Sequence, residues 1–213
     1  MNFGKVLIFG DSYSTYSGYI PEGNAAYYPT SVEGRPKLGG VEDTWWYSLI
    51  KETGSELVLN DSWSGSTIGY RGYSGSDTST TSSFIKRLRK MKENGFFTAN
   101  KIDTVFIFGA TNDNWADAPI GKTKYKNIRE SDLYEVLPAI CYFLENVKEL
   151  LPGARVIFII NSELKYEIVT GIKRASKHYS VESVLLSDID KQSGHPTALG
   201  MARIKDIIIK KLT

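Results

Sequence analysis

The chain is poor in the residues that carry disulfide, metal and imidazole chemistry. Cys141 is its only cysteine, so neither a disulfide nor a cysteine-based metal cluster forms within one chain. Its setting, Ile140-Cys141-Tyr142-Phe143-Leu144, suits a buried apolar role rather than a nucleophile. There are two histidines, and His178 lies in the polar tail Ser176-Lys177-His178-Tyr179 of an expected helix, where a solvated role is expected. His195 is then the one imidazole left for chemistry. No charge dominates: 26 basic residues face 24 acidic ones, a net of +2, which gives no electrostatic case for nucleic acid or an anionic membrane surface as partner. No long hydrophobic run occurs, and nothing approaches the roughly 18 apolar residues needed to span a bilayer. The first apolar run, Val6 to Phe9, is too short for a signal-peptide core and has no small-residue cleavage site, so the chain as given is expected to be cytoplasmic.

What is present is an alternation of strand-like and helix-like segments. A length of 213 residues with 41% hydrophobic content fits one domain, residues 1–213, with a core of its own. Five short β-rich runs recur at Val6 to Phe9, Glu56 to Leu59, Thr104 to Phe108, Arg155 to Ile160 and Val181 to Leu186. Between them, Trp45, Trp46, Leu49 and Ile50 stand at helical spacing after Asp43-Thr44, with Gly54 as a stop. Further helices are expected around Phe84, Leu88 and Met91, over Leu133 to Leu151 before Pro152-Gly153, from about Glu163 to Lys177, and from Thr197 to Leu212. Strands alternating with helices argue for an α/β fold: a three-layer α/β/α sandwich around a parallel sheet of about five strands. Two segments break the pattern. Tyr13 to Gly40 is far longer than the usual connection of about 2 to 6 residues, and Tyr70 to Ser83 is rich in Gly, Ser and Thr. Long loops at strand ends are where function concentrates.

In open α/β sheets ligands bind beyond the carboxyl ends of the strands, and the residues there are polar. They are Gly10-Asp11-Ser12 after the first strand, Asn60 to Gly65 after the second, Gly109-Ala110-Thr111-Asn112-Asp113 after the third, and Asp188 to Pro196 before the last helix. A serine hydrolase needs a hydroxyl on a sharp turn, a neutral imidazole to take its proton, and convergent donors for the oxyanion. These segments contain all three. Each has a plainer reading as well: Ser12 as a turn serine, Asn60 and Asn112 as Asx turns. Asn60 is left structural.

The four blocks, in this order and across nearly the whole chain, resemble the SGNH/GDSL hydrolase family. The resemblance implies a flavodoxin-like three-layer fold and an ester hydrolase with Ser12 as nucleophile, His195 as general base, and Gly65 and Asn112 as oxyanion donors alongside the Ser12 N–H. It implies no metal and no organic cofactor. Two positions depart from the family pattern. Ala110 replaces a glycine two residues before Asn112, and Gln192 stands three before His195 where the family carries its acid. Either Asp190 reaches His195 through a longer loop, or a backbone carbonyl such as that of Gln192 orients the ring; Asp190 is the marginally favoured partner. The expected substrate is a short acyl ester of a small molecule or a carbohydrate, since the loop Tyr13 to Gly40 is aromatic and polar rather than aliphatic. Trp45-Trp46 and Tyr13, Tyr16, Tyr19, Tyr27 and Tyr28 offer faces for a sugar or acyl group, with at least one tryptophan expected in the core. The basic runs Lys86 to Lys92 and Lys122 to Arg129 are expected on solvated surface. The competing reading is a non-catalytic binding module on a decayed hydrolase fold. A nucleotide-binding domain is disfavoured because no Gly-x-Gly-x-x-Gly follows the first strand.

Overall fold

The computed structural model describes residues 1–212. Its centre is a parallel five-stranded sheet of β1 (Lys5–Gly10), β2 (Glu56–Ser62), β3 (Thr104–Phe108), β4 (Arg155–Ile160) and β5 (Glu182–Leu185), in the order β2-β1-β3-β4-β5. The order reverses at β1, whose two neighbours are β2 and β3. The carboxyl ends of β1 and β3 therefore flank the switch point, where a crevice opens in folds of this kind.

Parallel strands buried on both faces alternate their side chains between two cores. Leu7 and Phe9 of β1, Val105 and Ile107 of β3, and Phe158 and Ile160 of β4 lie in one core. It is covered by α2 (Phe84–Glu93), α5 (Val136–Leu150) and α6 (Tyr166–His178). Val6, Ile8, Phe106, Phe108, Ile157 and Ile159 lie in the other. There α1 (Trp45–Thr53) packs beside α7 (Ala198–Leu212). Short helices α3 (Phe96–Ala99) and α4 (Thr111–Trp115), a two-stranded hairpin of β6 (Lys191–Gln192) with β7 (His195–Pro196), and short 3-10 turns at Ser12–Ser14, Val41–Asp43, Tyr73–Gly75 and Glu130–Tyr134 are the remaining described elements.

Helix ends follow local chemistry. Thr44 caps α1 by accepting from the Tyr47 N–H, and Gly54 closes it at φ +63°. Ser83 caps α2 in the same way through Lys86. Helix α5 starts at Val136 rather than Leu133, because residues 130–134 form a separate 3-10 turn. Pro138 then falls within the first turn, where a missing N–H leaves no gap in the hydrogen-bond ladder. No described helix is long and apolar enough to cross a membrane.

Two expectations for exposed groups are overturned. Trp45 and Trp46 are both fully buried, so the pair forms no platform for a ligand. Arg87, in the basic run expected on solvated surface, is buried as well. Its guanidinium reaches Asp61 Oδ2 at 2.8 Å, Gly10 O at 3.1 Å and Ser82 O at 3.0 Å. Charge on an amphipathic helix predicts solvation only where no carboxylate and strand-end carbonyls await it inside.

Candidate active site

Ser12 begins a 3-10 turn right after β1. Gly10 permits that turn, since a Cβ there would sit 2.3 Å from Ser62 Oγ and 2.5 Å from Ser14 Cβ. Asp11 caps the turn by accepting from the Tyr13 N–H at 3.0 Å. Asn60, left structural from sequence, donates to Ser14 O at 2.8 Å and accepts from Ser62 Oγ at 2.6 Å, bracing the same turn.

His195 reaches Ser12 from the far end of the chain. The hairpin that carries it turns through Ser193 (φ +48°) and Gly194 (φ +77°), the left-handed pair that a two-residue type I′ turn requires. The hairpin is anchored on every side: the Tyr13 hydroxyl donates to Gly194 O, the Tyr28 hydroxyl to Pro196 O at 2.6 Å, and Ser193 Oγ to Gly34 O at 2.7 Å. His195 Nε2 lies 3.0 Å from Ser12 Oγ, and Nδ1 lies 3.1 Å from Ser193 O. A carbonyl only accepts, so Nδ1 carries the proton and Nε2 presents its lone pair to the serine hydroxyl.

Asp190 is not brought to the imidazole. Its carboxylate accepts from the Thr197 hydroxyl, and its backbone carbonyl accepts from the Thr197 N–H at 3.1 Å. It thereby closes the base of the hairpin. The carbonyl behind the ring is that of Ser193, not Gln192, because the type I′ turn folds the residue two before His195 back onto it.

The ring is also held from its face. Tyr27 stacks on His195 with centroids 3.6 Å apart and planes within 5°, while Tyr13 and Trp115 approach at 5.4 and 5.5 Å. The Arg35 guanidinium sits 5.3 Å from the centre of the Tyr27 ring. Burial, with the positive charges of Arg35 and Lys191, lowers the imidazole pKa below its ordinary value, against the opposing pull of Ser193 O.

Gly65 follows the end of β2, and Asn112 follows the end of β3, on α4. Gly65 has φ +81° with open space where a Cβ would point. Among the described residues, none accepts a hydrogen bond from the Ser12 or Gly65 backbone N–H, so both donors are free. Asn112 is buried on α4; its Nδ2 donates to Ser66 O at 2.9 Å and its Oδ1 accepts from the Tyr73 hydroxyl at 2.7 Å. Ala110, where the family pattern has glycine, enters α4 at φ +70°, a conformation costing an L-residue about 1–2 kcal/mol.

Two buried carboxyls underlie the site. Burial pushes Asp11 up to about 7 and Asp113 up to about 6. Asp113 accepts from the Ile68 N–H at 2.9 Å and the Gly69 N–H at 3.2 Å, which ties the loop after β2 to α4. Among the described residues, no group of three or more His, Cys, Asp or Glu side chains is placed to hold a metal ion.

Tyr27, Tyr73 and the Ser193 carbonyl were not singled out individually from the sequence. For Tyr73 and Ser193 the Ser-Gly pairs 74–75 and 193–194 of their hairpins were the available signal.

Comparison with known proteins identifies the family and the fold. The pattern of the GDSL-like lipase/acylhydrolase family matches residues 4–212. A GDSL-like lipase from Bacteroides ovatus superposes with a TM-score of 0.90 at 37% identity, covering 99% of this chain and 98% of that one. One from Bacteroides uniformis gives 0.90 at 40% identity, covering 98% and 95%. A family two carbohydrate esterase from Clostridium thermocellum shares the fold, with a TM-score of 0.67 at 12% identity over 98% of this chain and 63% of that one. No curated protein matches the chain. Fold and relatives thus define an ester hydrolase on a parallel α/β scaffold. The chain belongs to the GDSL-like lipase/acylhydrolase family.

Proposed function

We propose that the chain is a serine esterase working through a Ser12–His195 dyad. The observation that carries the reading is the 3.0 Å contact between Ser12 Oγ and His195 Nε2, with the other ring nitrogen held by a carbonyl. Nε2 takes the hydroxyl proton as Oγ attacks the ester carbonyl. The oxyanion is met by the Ser12 and Gly65 N–H groups and by Asn112. The resulting imidazolium returns its proton to the departing alcohol, leaving the acyl group on Ser12. Water, deprotonated by His195, then attacks the acyl carbonyl, and the carboxylic acid leaves as Ser12 recovers its proton.

The substrate is a short acyl ester of a polar alcohol, with carbohydrate esters as the favoured class. The half-exposed rings of Tyr27 and Trp115 beside His195 offer amphipathic faces, and the Clostridium thermocellum protein of like fold is a carbohydrate esterase. The test is fluorophosphonate labelling with p-nitrophenyl acetate turnover on wild type and Ser12→Ala. Labelling and turnover confined to wild type are expected. Absence of labelling in both would leave a binding module on a hydrolase fold as the reading.

A further inference from the structure

The loop between β2 and α2 carries a second Ser-Gly hairpin turn, and it delivers a side chain to the site. Gly72 donates its N–H to Ser76 O at 2.8 Å, and Ser76 donates back to Tyr73 O at 3.0 Å. Ser74 (φ +53°) and Gly75 (φ +75°) form the turn between them, again with the two positive φ values of a type I′ geometry. The loop is pinned below by Tyr70 N to Leu133 O at 2.8 Å and Thr78 N to Tyr70 O at 2.9 Å, and at the side by the Tyr134 hydroxyl on Asp77 Oδ2 at 2.9 Å. Tyr73, immediately before the turn, is 43% exposed, so its ring is not needed to fill a core. Its hydroxyl nonetheless reaches in to the buried Asn112.

That contact fixes the amide in one orientation. Ser66 O can only accept, so the nitrogen of Asn112 must face it, and Oδ1 must face Tyr73, which therefore donates. With Oδ1 and one N–H engaged, the second N–H is the group left to meet an oxyanion. A donor on Oδ1 also draws electron density from the amide and strengthens the remaining N–H as a donor, the cooperative effect seen in hydrogen-bond chains. Burial of the phenol and the neighbouring Asp11 and Asp113 carboxyls push its pKa up to about 12, so it stays a donor throughout the working range.

We propose that Tyr73 is a positioning residue for catalysis, acting through Asn112 by holding the amide in the orientation that serves the oxyanion. This rests on the reading of Asn112 as an oxyanion donor.

The experiment is a double-mutant cycle on kcat and KM for p-nitrophenyl acetate, with wild type, Tyr73→Phe, Asn112→Ala and the double variant, each checked by thermal melting. Asn112→Ala is expected to lose about 10²–10³ in kcat, the usual effect of removing an oxyanion donor. Tyr73→Phe is expected to lower kcat by about 3- to 10-fold, the scale of one neutral hydrogen bond, with KM and melting temperature little changed. In the Asn112→Ala background the same change should have no further effect on kcat. An undiminished kcat in Tyr73→Phe while Asn112→Ala is crippled, or an equal loss in both backgrounds, overturns the role assigned to Tyr73. Full activity of Asn112→Ala would instead remove the oxyanion reading beneath it, and the positioning role with it.

Discussion

His195 has a carbonyl rather than a carboxylate behind it, and that sets the direction in which its basicity moves. A carboxylate partner would stabilise the imidazolium and raise the pKa. Here burial and the charges of Arg35 and Lys191 lower it, and Ser193 O opposes them only in part. The neutral ring, the form able to accept the Ser12 proton, therefore persists to lower pH than in a free imidazole. With two histidines in the chain, a His178→Gln variant isolates the His195 ring for NMR titration. Its midpoint is expected below the ordinary value of about 6.5, and Asp190→Asn in the same background should leave that midpoint below 6.5 and turnover within about twofold. A midpoint above 6.5, or a loss approaching the ~10⁴-fold that removal of a triad carboxylate brings, would return Asp190 to the site. The sequence named Ser12 and His195 correctly as neighbours in space. It favoured Asp190 because the only carboxylates near His195 in sequence were on that loop, and nothing in composition shows that Thr197 claims the carboxylate first.

At the scale of elements, strands and long helices were legible and small hairpins were not. Thr104–Phe108 and Arg155–Ile160 fall on the expected boundaries, since a strand buried on both faces is a continuous apolar run with sharp polar ends. The β6–β7 hairpin pairs only Lys191 with Pro196 and Gln192 with His195, and it carries no apolar signature. Its shape comes from the turn. Gly194 at φ +77° is one residue from His195, and a Cβ there would lie 3.3 Å from the Trp115 ring. Gly194→Ala should cost about 1–2 kcal/mol of strain and move the imbedded ring away from Ser12. Because a misplacement of about 1 Å can cost 10²-fold in rate, kcat for p-nitrophenyl acetate should fall at least about tenfold. The melting temperature should fall only about 5 °C, since 1 kcal/mol corresponds to roughly 2–4 °C at this size. Wild-type turnover would show that the hairpin does not set the position of His195.

Across the whole molecule, Arg87 ties α2 and the loop after β2 to the carboxyl ends of β1 and β2. It bonds β1 through Gly10 O, β2 through Asp61, the following loop through Ser66 Oγ at 3.3 Å, and the approach to its own helix through Ser82 O. Its ion pair with Asp61 is 2.8 Å long with side chains only 5% and 8% exposed. Removing one partner of a buried pair leaves an uncompensated charge and costs about 3–5 kcal/mol. Arg87→Leu should therefore lower the melting temperature by about 10 °C or more, and a shift of under about 2 °C would mean that water replaces the guanidinium. The sequence by itself determined the α/β alternation, the strand cores and the order of the polar blocks, because these depend on local periodicity and on residues adjacent in the chain. Only the tertiary structure decided which group orients His195, that Tyr27 stacks on it, that Tyr73 holds Asn112, and that Arg87 is buried. Each of those depends on contacts between residues distant in the chain, or on a competition between neighbouring acceptors, and it is settled by where the folded backbone places them rather than by the identity of any one residue.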